Sequence, residues 1–181
     1  MLFLVRHAHS AYGPNEMRAL SESGQRAAQR IADLLQDRAI ARIVSSPYTR
    51  AVQTVQPLAD RLGLSIQIDS DLRERLLSTV PLDDFQRWLE ATWSDFDLVC
   101  PGGESSAAAQ ARVSRAIRRI VESTGDRHVV VASHGNALAL FLHTIDSTVD
   151  FHFWSRMSMP DVYAVAPQND AAWLYERIWA G

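Results

Sequence analysis

The chain has 181 residues, of which 47% are apolar and 22% charged, a composition that supports a buried core and excludes the disordered and fibrous classes. Domains usually run to about 100–200 residues, so one domain over residues 1–181 is expected. The net charge of −3 arises from 18 Arg and 21 acidic side chains with no Lys, and gives no basic excess for nucleic acid or an anionic membrane.

The opening apolar run, Met1 to Val5, stops at Arg6-His7, too short for a signal peptide or a spanning helix. It reads as a buried strand over Leu2–Val5, followed by a Gly13-Pro14 loop. Ser21 is placed to cap a helix whose apolar positions Ala27, Ala28, Ile31, Leu34 and Leu35 recur at three-and-four spacing. Ala41 to Ser45 reads as a second strand. Pro47 is then expected to open a helix carrying Ala51, Val52, Val55, Leu58, Ala59 and Leu62 on one face, closed by Gly63. A short third strand is expected over Ser65–Ile68, followed by a loop with Asp71-Leu72-Arg73-Glu74.

After Pro81, the stripe Leu82, Phe85, Trp88 and Leu89 predicts a helix, with Asp83 and Asp84 at its positive end. Trp88 is expected in the core. Pro101-Gly102-Gly103-Glu104-Ser105 reads as a turn and helix start, with Glu104 structural. The helix that follows carries Ala108 through Val121, and its Arg112, Arg115 and Arg119 read as a solvated face. The run Val129-Val130-Val131 predicts a central strand covered on both sides, ended by Ser133-His134-Gly135 and a further helix. Val162–Ala166 and Trp173–Ile178 read as two late strands joined by a turn over Pro167-Gln168-Asn169-Asp170. Strand–helix alternation gives a three-layer α/β/α sandwich with a largely parallel mixed sheet. Cys100, the one cysteine, has no disulfide partner and no metal-ligand spacing, and reads as a small apolar side chain; a cytoplasmic protein is expected.

Ligands of open α/β sheets gather beyond the carboxyl ends of strands. Arg6-His7, Ser45-Ser46-Pro47 leading to Arg50, and Ser133-His134 all follow strands, and converge on one edge. Two Arg and two His there suit a phosphoryl group, because guanidinium forks match paired oxygens. Gly135 opens a helix whose N–H groups suit an anion. Glu74, just after the third strand, adds a carboxyl able to protonate a leaving oxygen.

These residues resemble the histidine phosphatase superfamily of phosphoglycerate mutase-like proteins. The likeness rests on Leu4-Val5-Arg6-His7-Ala8, the run from Ser45 to Thr54, Pro101-Gly102-Gly103-Glu104-Ser105 and Ser133-His134-Gly135, with Leu20-Ser21-Glu22-Ser23-Gly24 similar to the segment before the family's first helix. The resemblance implies that His7 is the nucleophile that becomes phosphohistidine, that Arg6, Arg50 and His134 hold the phosphoryl oxygens, and that Glu74 is the general acid and base. Departures are Ala8 and His9, where the family most often has Gly and then Glu or Gln, and a missing glycine after the acid segment. His7-Ala8-His9 is also the H-x-H spacing of metal-dependent barrels, but such barrels usually need ~250 residues. No cofactor and no metal are expected.

Residues 76 to 101 contain one Arg (Arg87) and five acids, which disfavours a substrate with a second phosphate. A metal-independent phosphatase acting on small phosphomonoesters is therefore expected. The alternatives are phosphoglycerate mutase-type transfer, a phosphohistidine-protein phosphatase, supported by short length and the Met17-Arg18-Ala19-Leu20 approach, and a binding domain without turnover. Tyr12 and Trp154 are candidate walls of the pocket. An apolar helix face meets either the core or a twin subunit, which leaves a homodimer as an alternative to a monomer.

Overall fold

The computed structural model describes residues 1–11, 16–167 and 173–181. Tyr12, the Gly13-Pro14 loop and the Gln168-Asn169-Asp170 turn lie outside the described residues. Six strands form one sheet: β1 (Leu2–Arg6), β2 (Ile40–Ser45), β3 (Ile66–Ile68), β4 (His128–Ser133), β5 (Asp161–Pro167) and β6 (Trp173–Arg177), in the order β3-β2-β4-β1-β5-β6. The first four run parallel, and β5 and β6 add an antiparallel edge.

The apolar runs of β1 and β4 follow from their central places. Leu2 and Leu4, with Val129 and Val131, enter one core cluster, while Phe3 and Val5, with Val130 and Ala132, enter another. Successive side chains of a strand point to opposite faces, so a strand covered on both sides must be apolar throughout. The first face is covered by α4 (Ser106–Thr124) and α5 (Gly135–His143), and the second by α1 (Glu22–Leu35) and α2 (Thr49–Leu62). This is the expected three-layer sandwich. Among the described residues, α3 (Phe85–Ser94) and α6 (Phe151–Arg156) complete the helices, and no helix is long and apolar enough to cross a membrane. Cys100 is buried and free.

Helix ends follow local chemistry. The Ser21 hydroxyl accepts the Gly24 N–H (3.1 Å), and Gly63 closes α2 in the left-handed conformation that glycine adopts without strain. Two starts differ from expectation. The second helix begins at Thr49 rather than Pro47, because Tyr48 stays extended while its N–H binds the Ser46 hydroxyl. The third begins at Phe85, where the Asp84 carboxylate accepts the Arg87 N–H (3.0 Å). Arg112 corrects a third expectation. It is not part of a solvated face: the side chain is only 6% exposed and pairs with Glu104 at 2.6 Å.

Candidate active site

Three neighbouring strands, β2, β4 and β1, end together. His7 continues the β1 ladder by giving its backbone N–H to Ser133 (3.0 Å), and Ser46 continues β2 by giving its own to Ala132 (2.9 Å). The sheet therefore brings together Arg6, His7, Arg50 and His134 as expected.

The imidazole of His7 is buried, and its two nitrogens have unlike partners. Nδ1 lies 2.8 Å from the Ala8 carbonyl, and Nε2 lies 3.1 Å from Arg50 Nε. A carbonyl only accepts and a guanidinium only donates, so Nδ1 carries the proton and Nε2 keeps its lone pair. Burial above all, opposed by the Ala8 hydrogen bond and reinforced by Arg50, Arg6 and Arg18, pushes the His7 pKa down to about 3. The ring is thus neutral, with a fixed tautomer.

His134 is wholly buried, and burial followed by His7, Arg50, Arg6 and Arg18 holds its pKa well below the usual value. Its Nε2 lies 2.7 Å from the Ser46 hydroxyl, which also accepts the Tyr48 N–H. In the tautomer where the Ser46 O–H donates to Nε2, Nδ1 is a donor. The His134 ring packs edge-on to His7 at 5.2 Å and against Tyr48 at 4.8 Å. Tyr48 in turn lies under the Arg50 guanidinium at 4.7 Å.

Arg6 ends β1 with Nη1 donating to the Met157 carbonyl (2.7 Å). Its guanidinium lies so near the start of α5 that a Cβ on Gly135 would stand 3.0 Å from Arg6 Cζ and 3.0 Å from Trp154 Nε1. Trp154 therefore belongs to this neighbourhood, as expected of it. Trp88 is half-buried against Leu77, Leu89 and Cys100, its indole N–H bonded to Asp83 (3.0 Å).

Glu74 reaches the same helix start. Its carboxylate accepts the N–H groups of Asn136 (3.2 Å) and Ala137 (3.0 Å), and that of Arg75 (2.9 Å). The donors at the N-terminus of α5, read from sequence as suited to a substrate anion, are thus partly taken by the Glu74 carboxylate.

Arg18 was not among the expected site residues. It lies close enough to bear on His7, His134 and Arg50, and is the largest charge effect on Arg50 after burial. The approach to the first helix is the one signal that singled it out. Among the described residues, seven buried side-chain nitrogens or oxygens lack a hydrogen-bond partner, and five are Arg6 Nε, Arg18 Nε, Arg50 Nη1, His134 Nδ1 and Trp154 Nε1. The three guanidinium nitrogens and the indole N–H are donors, as is His134 Nδ1 when Ser46 donates to Nε2. Buried polar groups are ordinarily paired, so this concentration of donors is chemistry for an anion rich in acceptor oxygens.

His9 turns the other way. Its Nδ1 lies 2.8 Å from the Ser21 hydroxyl at the exposed cap of α1, whereas His7 is buried. Among the described residues no group of three or more His, Cys, Asp or Glu converges as a metal site. His128 and His143 each hold a backbone carbonyl, of Arg38 and Val149, and His152 is exposed.

Comparison with known proteins agrees with this fold. The "Probable phosphoglycerate mutase GpmB" of Yersinia enterocolitica is 28% identical over 158 residues, covering 80% of this chain and 74% of its own. Among solved structures, the mycobacterial glucosyl-3-phosphoglycerate phosphatase Rv2419c superposes with a TM-score of 0.79 at 25% identity, covering 97% of this chain and 96% of its own. YhfR of Bacillus stearothermophilus shares the fold, with a TM-score of 0.78 at 21% identity over 98% of this chain and 95% of its own. Residues 2–166 match the family described as histidine phosphatase superfamily (branch 1), and the chain belongs to that superfamily.

Proposed function

We propose that the protein is a metal-independent phosphatase that hydrolyses small phosphomonoesters through a phosphohistidine on His7, with Glu74 as general acid and base. The observation that carries this reading is the fixed tautomer of His7: Nδ1–H is committed to a carbonyl and the Nε2 lone pair is presented among three guanidiniums.

In the first step the Nε2 lone pair bonds to phosphorus, the P–O bond to the leaving group breaks, and the departing oxygen takes a proton from Glu74. Arg6, Arg18, Arg50 and the Nδ1–H of His134 neutralise the charge spread over the phosphoryl oxygens. In the second step Glu74 takes a proton from water, whose oxygen bonds to phosphorus as the P–N bond breaks and its electrons return to Nε2. Phosphate leaves and His7 is regenerated.

The mutase-like relatives favour a second reading, transfer of the phosphoryl group within a sugar acid. The acidic balance of residues 76 to 101 supports water as the acceptor instead. The mycobacterial neighbour's name puts sugar-acid phosphomonoesters on the substrate panel.

The test is phosphate release from p-nitrophenyl phosphate in EDTA by the parent and by His7→Ala. Hydrolysis that persists in EDTA and vanishes in the variant supports the reading. An equally active His7→Ala sinks it, as does activity abolished by EDTA. Transfer without phosphate release, on a phosphoglycerate supplied with its bisphosphate, selects the mutase.

A further inference from the structure

We propose that Arg112 and Glu104 are positioning residues that aim Glu74 at the leaving oxygen, so that a buried ion pair on the α4 side of the sheet sets the strength of acid catalysis. The inference rests on Glu74 being the general acid, as proposed above.

The guanidinium of Arg112 is engaged at every nitrogen. Nε and Nη2 donate to the two Glu104 oxygens at 2.8 and 2.6 Å, and Nη1 donates to the backbone carbonyls of Asp71 (2.6 Å) and Arg73 (3.1 Å). A two-point pairing holds the planar fork in one orientation, and here that orientation points Nη1 at the loop before Glu74. The carbonyl between those two, of Leu72, accepts the Ser133 hydroxyl at 2.7 Å. Three consecutive carbonyls ahead of Glu74 are therefore fixed by side chains from α4 and β4. On its far side Arg75 is buried and anchored by Nη2 to the Thr92 hydroxyl (2.9 Å) and by Nη1 to the Ser106 hydroxyl.

A buried ion pair is seldom a better stabiliser than apolar packing of equal volume, so stability alone is a poor account of this one. The carbonyls it holds are a better account. Asp71 and Arg73 flank the approach to the one carboxyl that reaches the start of α5. Arg119 also pairs with Asp69 and Asp71, but that side chain is more than half exposed, where such pairs contribute little.

The consequence is specific to the leaving group. When the P–O bond breaks, its electron pair goes to the departing oxygen. p-Nitrophenolate is stable without a proton, whereas phenolate and alkoxide need the proton of Glu74. A general acid contributes about 10²–10⁴-fold, and a misplacement of order 1 Å costs up to about 10²-fold. A loosened Glu74 should therefore penalise poor leaving groups selectively.

The experiment measures kcat/KM for p-nitrophenyl, phenyl and glycerol phosphates with the parent, Glu74→Gln, Glu104→Gln and Arg112→Lys, alongside Tm. The expected result is a fall on phenyl and glycerol phosphates about 10- to 100-fold greater than on p-nitrophenyl phosphate for Glu104→Gln, with a larger disparity for Glu74→Gln. Glu104→Gln keeps one oxygen acceptor and the side-chain volume, so it reads the role even where Arg112→Lys does not fold. Equal losses on all three esters, or a lowered Tm with unchanged leaving-group dependence, would make the pair structural and overturn the proposal while leaving Glu74 in place. Equal losses for Glu74→Gln itself would remove Glu74 as the acid, and the proposal with it.

Discussion

Replacing Gly135 with alanine tests whether Arg6 must lie against the first turn of α5. The new Cβ would stand 3.0 Å from Arg6 Cζ, 3.0 Å from Trp154 Nε1 and 3.1 Å from Arg6 Nε. Carbon contacts settle at about 3.5 Å or more, so something must give by about 0.5 Å. The strand cannot slide, because Arg6 is registered against Ser133 on one side and Asp161 on the other. The far end of the side chain is tied to the Met157 carbonyl. The displacement therefore falls on the guanidinium, whose unpartnered Nε is one of the donors proposed for the phosphoryl oxygens. If a misplacement of order 1 Å costs about 100-fold, half of it costs about tenfold in kcat/KM, which is about 1.4 kcal/mol of transition-state stabilisation. Stability moves differently. Alanine gains roughly 0.5–1 kcal/mol over glycine in a helix, which offsets part of the crowding, so the unfolding free energy should stay within about 1 kcal/mol of the parent. The assay pairs steady-state hydrolysis of p-nitrophenyl phosphate with urea unfolding. Full activity in Gly135→Ala would refute the placement of Arg6 as a transition-state donor, and activity lost in step with several kcal/mol of stability would show only broken packing.

Three further outcomes follow from the charges of the site. His7 titrates near 3 in the folded chain and near the ordinary 6.5 when unfolded, so its contribution is whole above pH 6.5 and is lost as pH falls toward 3. That histidine adds up to about 1.4 kcal/mol per pH unit to the slope. His7→Asn, measured by urea unfolding between pH 4 and 6 without phosphate, should flatten the slope by that amount, and an unchanged slope would mean that His7 is not buried as a neutral ring. Arg18→Ala should lower kcat/KM by about 10²–10³-fold, the cost of losing one donor to a developing charge, with partial recovery in Arg18→Lys; parent-like kinetics would place Arg18 outside the site. Inorganic phosphate at about 100 times its Kd should raise stability by about 2.7 kcal/mol, EDTA should leave that gain intact, and Arg50→Ala should remove most of it.

The parts legible in sequence were those set by local periodicity. An unbroken Val129-Val130-Val131 can only be a strand covered on both sides, and β4 is central. Ser21 and Gly63 mark helix ends because one has a capping oxygen and the other tolerates the left-handed conformation. Arg6, His7, Arg50 and His134 were legible because each ends or directly follows a strand or lies in the first turn of a helix. What failed was anything fixed by contacts distant in sequence. Arg112 shares a helix stripe with Arg115 and Arg119, and only the fold brings Glu104 and the carbonyls of Asp71 and Arg73 to it. Arg18 sits in a segment without periodicity, so its approach to His7 and Arg50 leaves almost no mark in the sequence.

The start of α5 shows how such distant contacts decide the chemistry. A helix needs partners for its first N–H groups, and Ser, Thr, Asp or Asn is the usual residue to supply them. Here the capping position is His134, whose side chain makes no cap bond because its ring faces His7, Ser46 and Tyr48 instead. The first turn of α5 is satisfied from elsewhere in the chain, by the carboxylate of Glu74 on the N–H groups of Asn136 and Ala137. One helix terminus thus carries His134 and Gly135 on the side of the proposed phosphoryl site and receives the Glu74 carboxylate on the other, with its positive dipole end toward both. The placement of Glu74 relative to His134 is then set by a single rigid element. The same helix start that crowds Arg6 at Gly135 also holds Glu74, so Gly135→Ala should disturb the leaving-group dependence of the reaction as well as its rate, whereas Arg18→Ala should lower all esters alike.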